Sequence, residues 1–229
     1  MAKHFAIDGI DSSGKGVATN AAKTFFEEQG KKVFDLREYW KDHDDYPDIS
    51  EYDVIIGTEP TFSALGKKIR FEMIKNKTQH THEEITEAYA NDRKEQLEKA
   101  ILPALKQNKI VIQERCVISA MVYQTCIGLT HEFIKNLEGN QVAFKNPPEV
   151  LIITTVNPEN AIKRLDTRDK KDDAIFEKLD FLKKAEDKFE SDFVETHLPK
   201  TKVIRFNTNP PKTPEDTKQE VYKILKENS

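Results

Sequence analysis

The sequence predicts an α/β fold in three layers, a mostly parallel sheet flanked by helices, and three observations carry that expectation. Short β-rich runs alternate with longer amphipathic segments. Helix-opening signals recur between those runs. A glycine-containing loop joins the first run to the first helix. At 229 residues the chain is long enough to bury one full core, so a single domain over 1–229 is expected.

Strands are expected near residues 5–7, 33–36, 54–56, 110–112, 150–155 and 203–206, where β-branched and aromatic residues cluster. Residues 15–29 read as a helix closed by Gly30. Thr81-His82-Glu83-Glu84 is a capping-box start for a long helix through residue 107. Asn157-Pro158 and Thr213-Pro214 each pair a cap residue with proline at the first helical position, opening two more helices. Residues 37–52, 128–148 and 167–173 are polar or rich in Gly, Pro and charge. They read as excursions from the sheet, not as linkers between domains.

The formal net charge of -4 argues against a wholly basic surface, so nucleic acid is not an expected partner. Only two cysteines occur, Cys116 and Cys126, which gives neither a disulfide framework nor a metal-ligand spacing, and a cytoplasmic location is expected. No apolar run approaches the length of a membrane span and the start of the sequence carries no leader pattern, so no membrane association is expected. His43, His80 and His82 lie in polar surroundings without a ligand constellation and read as solvated.

The segment Gly9-Ile10-Asp11-Ser12-Ser13-Gly14-Lys15 follows an apolar strand and leads into an amphipathic helix, the context in which a G-x-x-x-x-G-K loop cradles phosphates. Backbone N–H groups and the helix N-terminus favour anionic oxygens, and Lys15 adds a mobile charge. Residues Gly9, Ile10, Asp11, Ser12, Ser13, Gly14, Lys15, Gly16 and Val17 are therefore the expected binding loop for ATP. Gly16 stands where a Ser or Thr hydroxyl ordinarily meets Mg²⁺, so one metal contact is missing. Gly-Lys-Gly resembles adenylate kinases, which also lack that hydroxyl. Glu114, closing the run Ile110-Val111-Ile112-Gln113-Glu114, is the carboxylate expected to order water on the metal.

Several patches from Phe5 to about Phe189 together resemble the thymidylate kinase family. Phe5-Ala6-Ile7-Asp8-Gly9-Ile10-Asp11 is similar to its first strand and loop, and the resemblance places Asp11 near the acceptor sugar and the metal. Glu59-Pro60-Thr61 and Leu65-Gly66-Lys67-Lys68-Ile69-Arg70 look like its Glu-Pro turn and following helix. Tyr89-Ala90-Asn91-Asp92-Arg93 is similar to the segment whose aromatic ring stacks on thymine and whose arginine bonds a thymine carbonyl. Helical i, i+4 spacing puts Tyr89 and Arg93 on one face. Glu114-Arg115 and Ser119-Ala120-Met121-Val122-Tyr123-Gln124 resemble its Asp-Arg-aromatic motif and the helix that contacts the deoxyribose. By that match Arg115 holds the acceptor phosphate and Tyr123 crowds out a 2′-hydroxyl. Ala161-Ile162-Lys163-Arg164-Leu165-Asp166-Thr167-Arg168 resembles the start of a lid near 164–176, with Arg164 and Arg168 meeting the transferring phosphoryl group.

The family's fold is the three-layer P-loop kinase fold, and its activity is transfer of the γ-phosphoryl group of ATP to dTMP with Mg²⁺, giving dTDP and ADP, by a homodimer. Three departures stand out. Thr58 replaces the arginine before Glu-Pro, and Arg37 is positioned in sequence to substitute for it. Glu114 replaces Asp, and Cys116 replaces an aromatic residue. Gly16 and Thr58 keep open a kinase for another deoxynucleoside monophosphate or nucleoside, or a nucleotide-binding regulator that has lost transfer. No Asn-Lys-x-Asp guanine-reading segment supports a GTPase.

Overall fold

The computed structural model describes residues 3–75, 79–167 and 178–229. Six strands form one parallel sheet: β1 (His4–Asp8), β2 (Val33–Asp35), β3 (Val54–Thr58), β4 (Ile110–Glu114), β5 (Val150–Thr155) and β6 (Lys202–Asn207), in the order β2-β3-β4-β1-β5-β6. All six coincide with the runs expected from sequence. Chain order reverses at β1, between β4 and β5, so the crevice where a doubly wound sheet binds ligands opens beyond the carboxyl ends of β1 and β4. The registers Ile7↔Glu114 and Thr58↔Glu114 bring the ends of β1, β3 and β4 together there.

Alternation along the strands divides the core into two layers. Phe5, Ile7, Val54, Ile56, Ile112, Val150 and Ile152 pack with Phe25, Phe26, Val221 and Leu225 from α1 (Lys15–Glu28) and α12 (Pro214–Asn228). Ala6, Ile55, Val111, Leu151 and Ile153 face the opposite layer with Leu97, Ile101, Met121 and Phe189. That layer is built from α4 (His82–Gln96), α5 (Leu102–Lys106), α6 (Val117–Cys126) and α10 (Leu179–Glu190). Gly30 closes α1 at φ 75°, its N–H bonding Glu27 O at 2.9 Å, in the left-handed geometry that glycine tolerates best.

The long capping-box helix forms as α4, a wide turn over Ile69–Met73 notwithstanding upstream, and continues through a second wide turn (Leu97–Ile101) into α5. Thr81 accepts from Glu84 N while the Glu84 carboxylate accepts from Thr81 N, as the motif requires. The cap at α9 (Pro158–Asp166) differs from expectation: Asn157 makes no side-chain cap bond, because it is engaged with Asn209 across the β5–β6 ends. Thr213 caps α12 as expected.

Two of the expected excursions from the sheet carry structure of their own. Residues 128–148 hold α7 (His131–Asn136) and α8 (Glu138–Lys145), the latter packed on α4. Gly139 makes that approach possible, since a Cβ there would stand 1.8 Å from Ala90 O. Residues 37–52 begin inside the short α2 (Leu36–Tyr39) and bury Trp40 and Ile49 in the core, so they pack on the domain despite their polar composition. Within 167–173 only Thr167 is described, and Arg168, Phe176 and Glu177 lie outside the described residues. Short helices α3 (Ala64–Lys68) and α11 (Phe193–His197) complete the fold.

Candidate active site

A cavity of about 680 Å³ opens at the carboxyl ends of the strands. One end is lined by Asp11, Thr58, Glu59, Arg70, Glu114 and Arg115, and the other by Arg164, Thr208, Pro210, Lys212, Thr213 and Thr217. The loop residues Ser12, Gly14, Lys15, Gly16 and Val17 lie between them.

The loop is shaped by its glycines. Gly9 has φ 135° and a Cβ there would meet Thr154 O at 2.3 Å, so no other residue fits without moving β5. Gly14 at φ 101° leads directly into Lys15, the first residue of α1. Ser13 Oγ bonds Thr154 Oγ1 at 2.7 Å, which ties the loop to the sheet. Lys15 Nζ donates to Gly9 O at 2.9 Å and Ile10 O at 2.6 Å and lies 3.9 Å from Asp11. Burial and the nearby Arg115 push the Lys15 ammonium down to about 8, against the pull of Asp11, Asp8 and Glu114. A Cβ on Gly16 would meet nothing within 4 Å, so packing does not impose glycine where a metal-binding hydroxyl is expected.

Arg115 follows β4 in a left-handed conformation (φ 66°), uncommon for a residue with a side chain, and its N–H bonds Ile7 O at 2.8 Å. Its guanidinium pairs with Asp11, lies 3.9 Å from Asp8 and stands 5.3 Å from the centroid of the Tyr123 ring. Sequence reasoning passed over Asp8, which is fully buried and bonds Gly9 N, Cys116 N and the Ser119 hydroxyl. That one carboxylate joins the first loop glycine to the start of α6. Burial raises its affinity for a proton, opposed by Arg115 and Lys15. Ser119 is thus committed to Asp8 while also accepting from Arg115 at 3.4 Å.

Glu114 and Asp11, the expected metal carboxylates, both line the cavity. Glu114 is held at 3.3 Å by Arg37, whose guanidinium also grips Asp35 at 2.9 and 2.8 Å and Asn20 at 2.9 Å. The arginine suspected of substituting at Thr58 therefore reaches the site from behind Glu114, while Thr58 itself presents a neutral side chain to the cavity. Two carboxylates beside a phosphate loop fit Mg²⁺, which takes one or two protein carboxylates and completes its shell with phosphate oxygens and water. Among the described residues no group of three or more His, Cys, Asp and Glu side chains could hold a metal by itself.

Arg70 was also passed over as a site residue. It lines the cavity, where it stacks 4.0 Å from the Phe62 centroid and donates to Thr61 O at 3.1 Å and to Pro60 O. Tyr89 is half-buried against Ile69, Met73, Ile85 and Ala88, in the field of Arg115 and Arg70, and burial pushes its phenol up to about 12. Arg93, matched to the arginine that bonds a thymine carbonyl, is deeply buried. It is 2 % exposed, paired with Glu59 Oε2 at 2.6 Å, and donates to Asn140 Oδ1 at 2.5 Å. Glu59, which lines the cavity, accepts from Arg93 with one oxygen and from Gln113 with the other. Pro60 follows it through a cis peptide bond. Gln124 is buried and its Oε1 has no partner among the described residues. Tyr123 packs on Phe181 at 5.5 Å between ring centroids. Arg164 bridges the phosphate loop and the residue after β6, donating to Ser12 O at 3.0 Å and Thr208 O at 2.5 Å.

The thymidylate kinase family profile matches residues 47–218, three-quarters of the chain. The chain belongs to the thymidylate kinase family. A probable thymidylate kinase of Archaeoglobus fulgidus is 29% identical over 220 residues, covering 96% of this chain and 93% of that one. One from Thermococcus onnurineus is 30% identical over 185 residues, covering 78% and 77%. The crystal structure of thymidylate kinase from Ehrlichia chaffeensis superposes with a TM-score of 0.67 at 20% identity over 99% of this chain and all of that one, a likeness of fold.

Proposed function

We propose that the chain transfers the γ-phosphoryl group of ATP to dTMP, giving dTDP and ADP. The observation that carries this reading is the cavity itself. It holds a phosphate loop with Lys15 at its centre, Arg70 and Arg115 on the side of β3 and β4, and Arg164 on the side of β6. Two phosphate-bearing ligands placed from opposite ends would meet between these cations. Family membership supports both the donor and the acceptor.

In the reaction an oxygen of the dTMP phosphate attacks the γ-phosphorus, the bond from that phosphorus to the β–γ bridging oxygen breaks, and ADP leaves with the electron pair. The attacking phosphate is already largely dianionic at neutral pH, its second pKa being about 6, so no general base has to take a proton. The protein's work is positioning and charge stabilisation. Arg115 and Arg70 hold the acceptor phosphate, and Arg115 must give up Asp11 to do so. Lys15 and the backbone N–H groups of residues 9–17 hold the donor phosphates, and Arg164, with Arg168, meets charge spread over the equatorial oxygens. Asp11 and Glu114 would hold Mg²⁺, which would offset the negative charge of the donor phosphates. Tyr89 stacks on thymine, Arg93 donates to its carbonyl, and the unpartnered Gln124 Oε1 accepts from its ring N–H. A single domain acting as a homodimer in the cytoplasm is part of the same reading, motivated by the family resemblance, and light scattering at working concentration tests the dimer. Among the described residues no helix is long and apolar enough to cross a membrane.

The testing experiment is ADP release from ATP and Mg²⁺ with each common nucleoside monophosphate in turn. Stimulation greatest with dTMP is expected; a larger specificity constant for another monophosphate would move the assignment to that acceptor.

A further inference from the structure

A chain of buried polar side chains runs behind the acceptor end of the cavity, and its direction is fixed by what each group can donate. Arginine has only donors, so Asn140 accepts from Arg93 through Oδ1, and its Nδ2 is left to donate to Ile134 O, at 2.7 Å. On the other side Arg93 donates to Glu59 Oε2 from both Nε (2.9 Å) and the terminal nitrogen (2.6 Å). Glu59 Oε1 accepts from Gln113 Nε2 at 2.6 Å, which turns Gln113 Oε1 towards His4 Nε2 at 2.9 Å. His4 therefore carries its proton on Nε2. Every member is nearly sealed from solvent: His4 2%, Gln113 2%, Glu59 4%, Arg93 2% and Asn140 0% exposed.

The two ends of Arg93 are held differently. Glu59 supplies charge and comes from the end of β3. Asn140 supplies only direction, and it comes from α8, which reaches α4 closely enough because Gly139 has no side chain to strike Ala90. An arginine gripped only by Glu59 could pivot about that carboxylate. A second acceptor, itself anchored to the α7 carbonyl of Ile134, removes the pivot.

We propose that Asn140 is a positioning residue for acceptor-base selection: it fixes the guanidinium plane of Arg93 so that a free N–H meets a pyrimidine carbonyl and disfavours an amino group at the same place. This rests on the reading of Arg93 as the base-facing arginine given above. A base-reading group held in one orientation discriminates more than one free to swing away from the mismatched donor. The residues that clamp the phosphates lie elsewhere, so loosening Arg93 should leave ATP use alone.

The test is a comparison of kcat/KM for dTMP and dCMP, with the KM for ATP and the Tm, in Asn140→Ala, Asn140→Ser and Arg93→Ala. For Asn140→Ala the dTMP-to-dCMP ratio should fall about tenfold, mainly through a higher KM for dTMP, with the KM for ATP changed less than about twofold. Asn140→Ser, with an oxygen that can still accept, should recover part of the ratio; it also serves if the alanine variant folds poorly. An unchanged ratio in both Asn140 variants, whatever happens to Tm, would overturn the proposal and leave Asn140 a packing residue. If Arg93→Ala collapses the ratio while the Asn140 variants do not, base reading stands and only the positioning role fails. If Arg93→Ala also leaves the ratio unchanged, the base-reading assignment fails and the proposal with it.

Discussion

The two ends of the cavity are built in opposite ways. On the proposed reading the donor side rests on one contiguous stretch, Gly9 to Val17, whose shape is set by Gly9 and Gly14 in positive-φ conformations and of which Asp11, Ser12 and residues 14–17 line the cavity. The acceptor end is assembled from β3, α4, β4, α6 and α8, and its side chains hold one another: Glu59 with Arg93, Arg93 with Asn140, Asp8 with Ser119, Asp11 with Arg115. A backbone cradle is indifferent to most side-chain changes outside its glycines and lysine. A wall of interlocked side chains can be retuned at many positions, so base selectivity can change without touching phosphate chemistry.

The sharpest way to break the donor end is Lys15→Ala. We expect kcat to fall about a hundredfold or more, because the ammonium acts on phosphate charge. Tm should change little, since the Lys15 ammonium bonds two loop carbonyls and lies 3.9 Å from Asp11 rather than packing in the apolar core. Steady-state kinetics with a thermal melt check both, and retention of most of the turnover would remove Lys15 from the reaction.

Tyr123 lies 5.3 Å from the Arg115 guanidinium and packs against Phe181, and on the proposed reading its ring crowds a 2′-hydroxyl. The wild-type protein should prefer dTMP over its ribo-analogue by about tenfold or more in kcat/KM, and Tyr123→Ala should narrow that preference. Equal constants for the two sugars in the wild type would remove the steric role.

A smaller effect is expected from Gly16→Ser. Space is available, so the variant should fold normally, and the added hydroxyl should lower the Mg²⁺ concentration needed for half-maximal ATP binding, measured by calorimetric titration. An unchanged or higher Mg²⁺ requirement in the variant would contradict the idea that a metal contact is missing.

The smallest effect concerns Glu186 on α10, which accepts from Val156 N at 2.8 Å while its other oxygen is buried without a partner among the described residues. Burial pushes its carboxyl up to about 7 from an ordinary 4.5. The folded state then binds more protons than the unfolded state between those values, so this group's contribution to stability is lost as pH rises through that window. Glu186→Gln removes the titration. Its Tm relative to wild type should therefore climb as pH goes from about 4.5 to 7, and parallel Tm profiles would contradict a buried, titrating Glu186.

How much of this was legible in the sequence follows from the same contrast. The six strands and the phosphate loop announce themselves locally, through apolar runs and through glycines whose spacing dictates backbone shape. So does the Thr81 capping box, whose two partners lie three residues apart. Asp8 was not legible as a hub, because Ser119 and Cys116 are more than a hundred residues away in sequence. Residues 128–148 read as an excursion because of their polar, Gly-, Pro- and charge-rich composition. In the structure Gly139 serves close helix packing, and Asn140 serves Arg93. The i, i+4 spacing puts Arg93 on the helix face of Tyr89, but nothing in that spacing reveals that Glu59 and Asn140 hold it. The Asn157 cap failed for a similar reason, a distant Asn209 competing for its side chain.

The central claim is that the two ends of the cavity work together on one phosphoryl group. Its most direct measurement is the product formed from γ-labelled ATP and dTMP with purified protein and Mg²⁺, separated by nucleotide chromatography. The account expects label to appear in dTDP, one per ADP formed, with little inorganic phosphate. Tight ATP binding with no label transferred to dTMP, or label found only in inorganic phosphate, would contradict it.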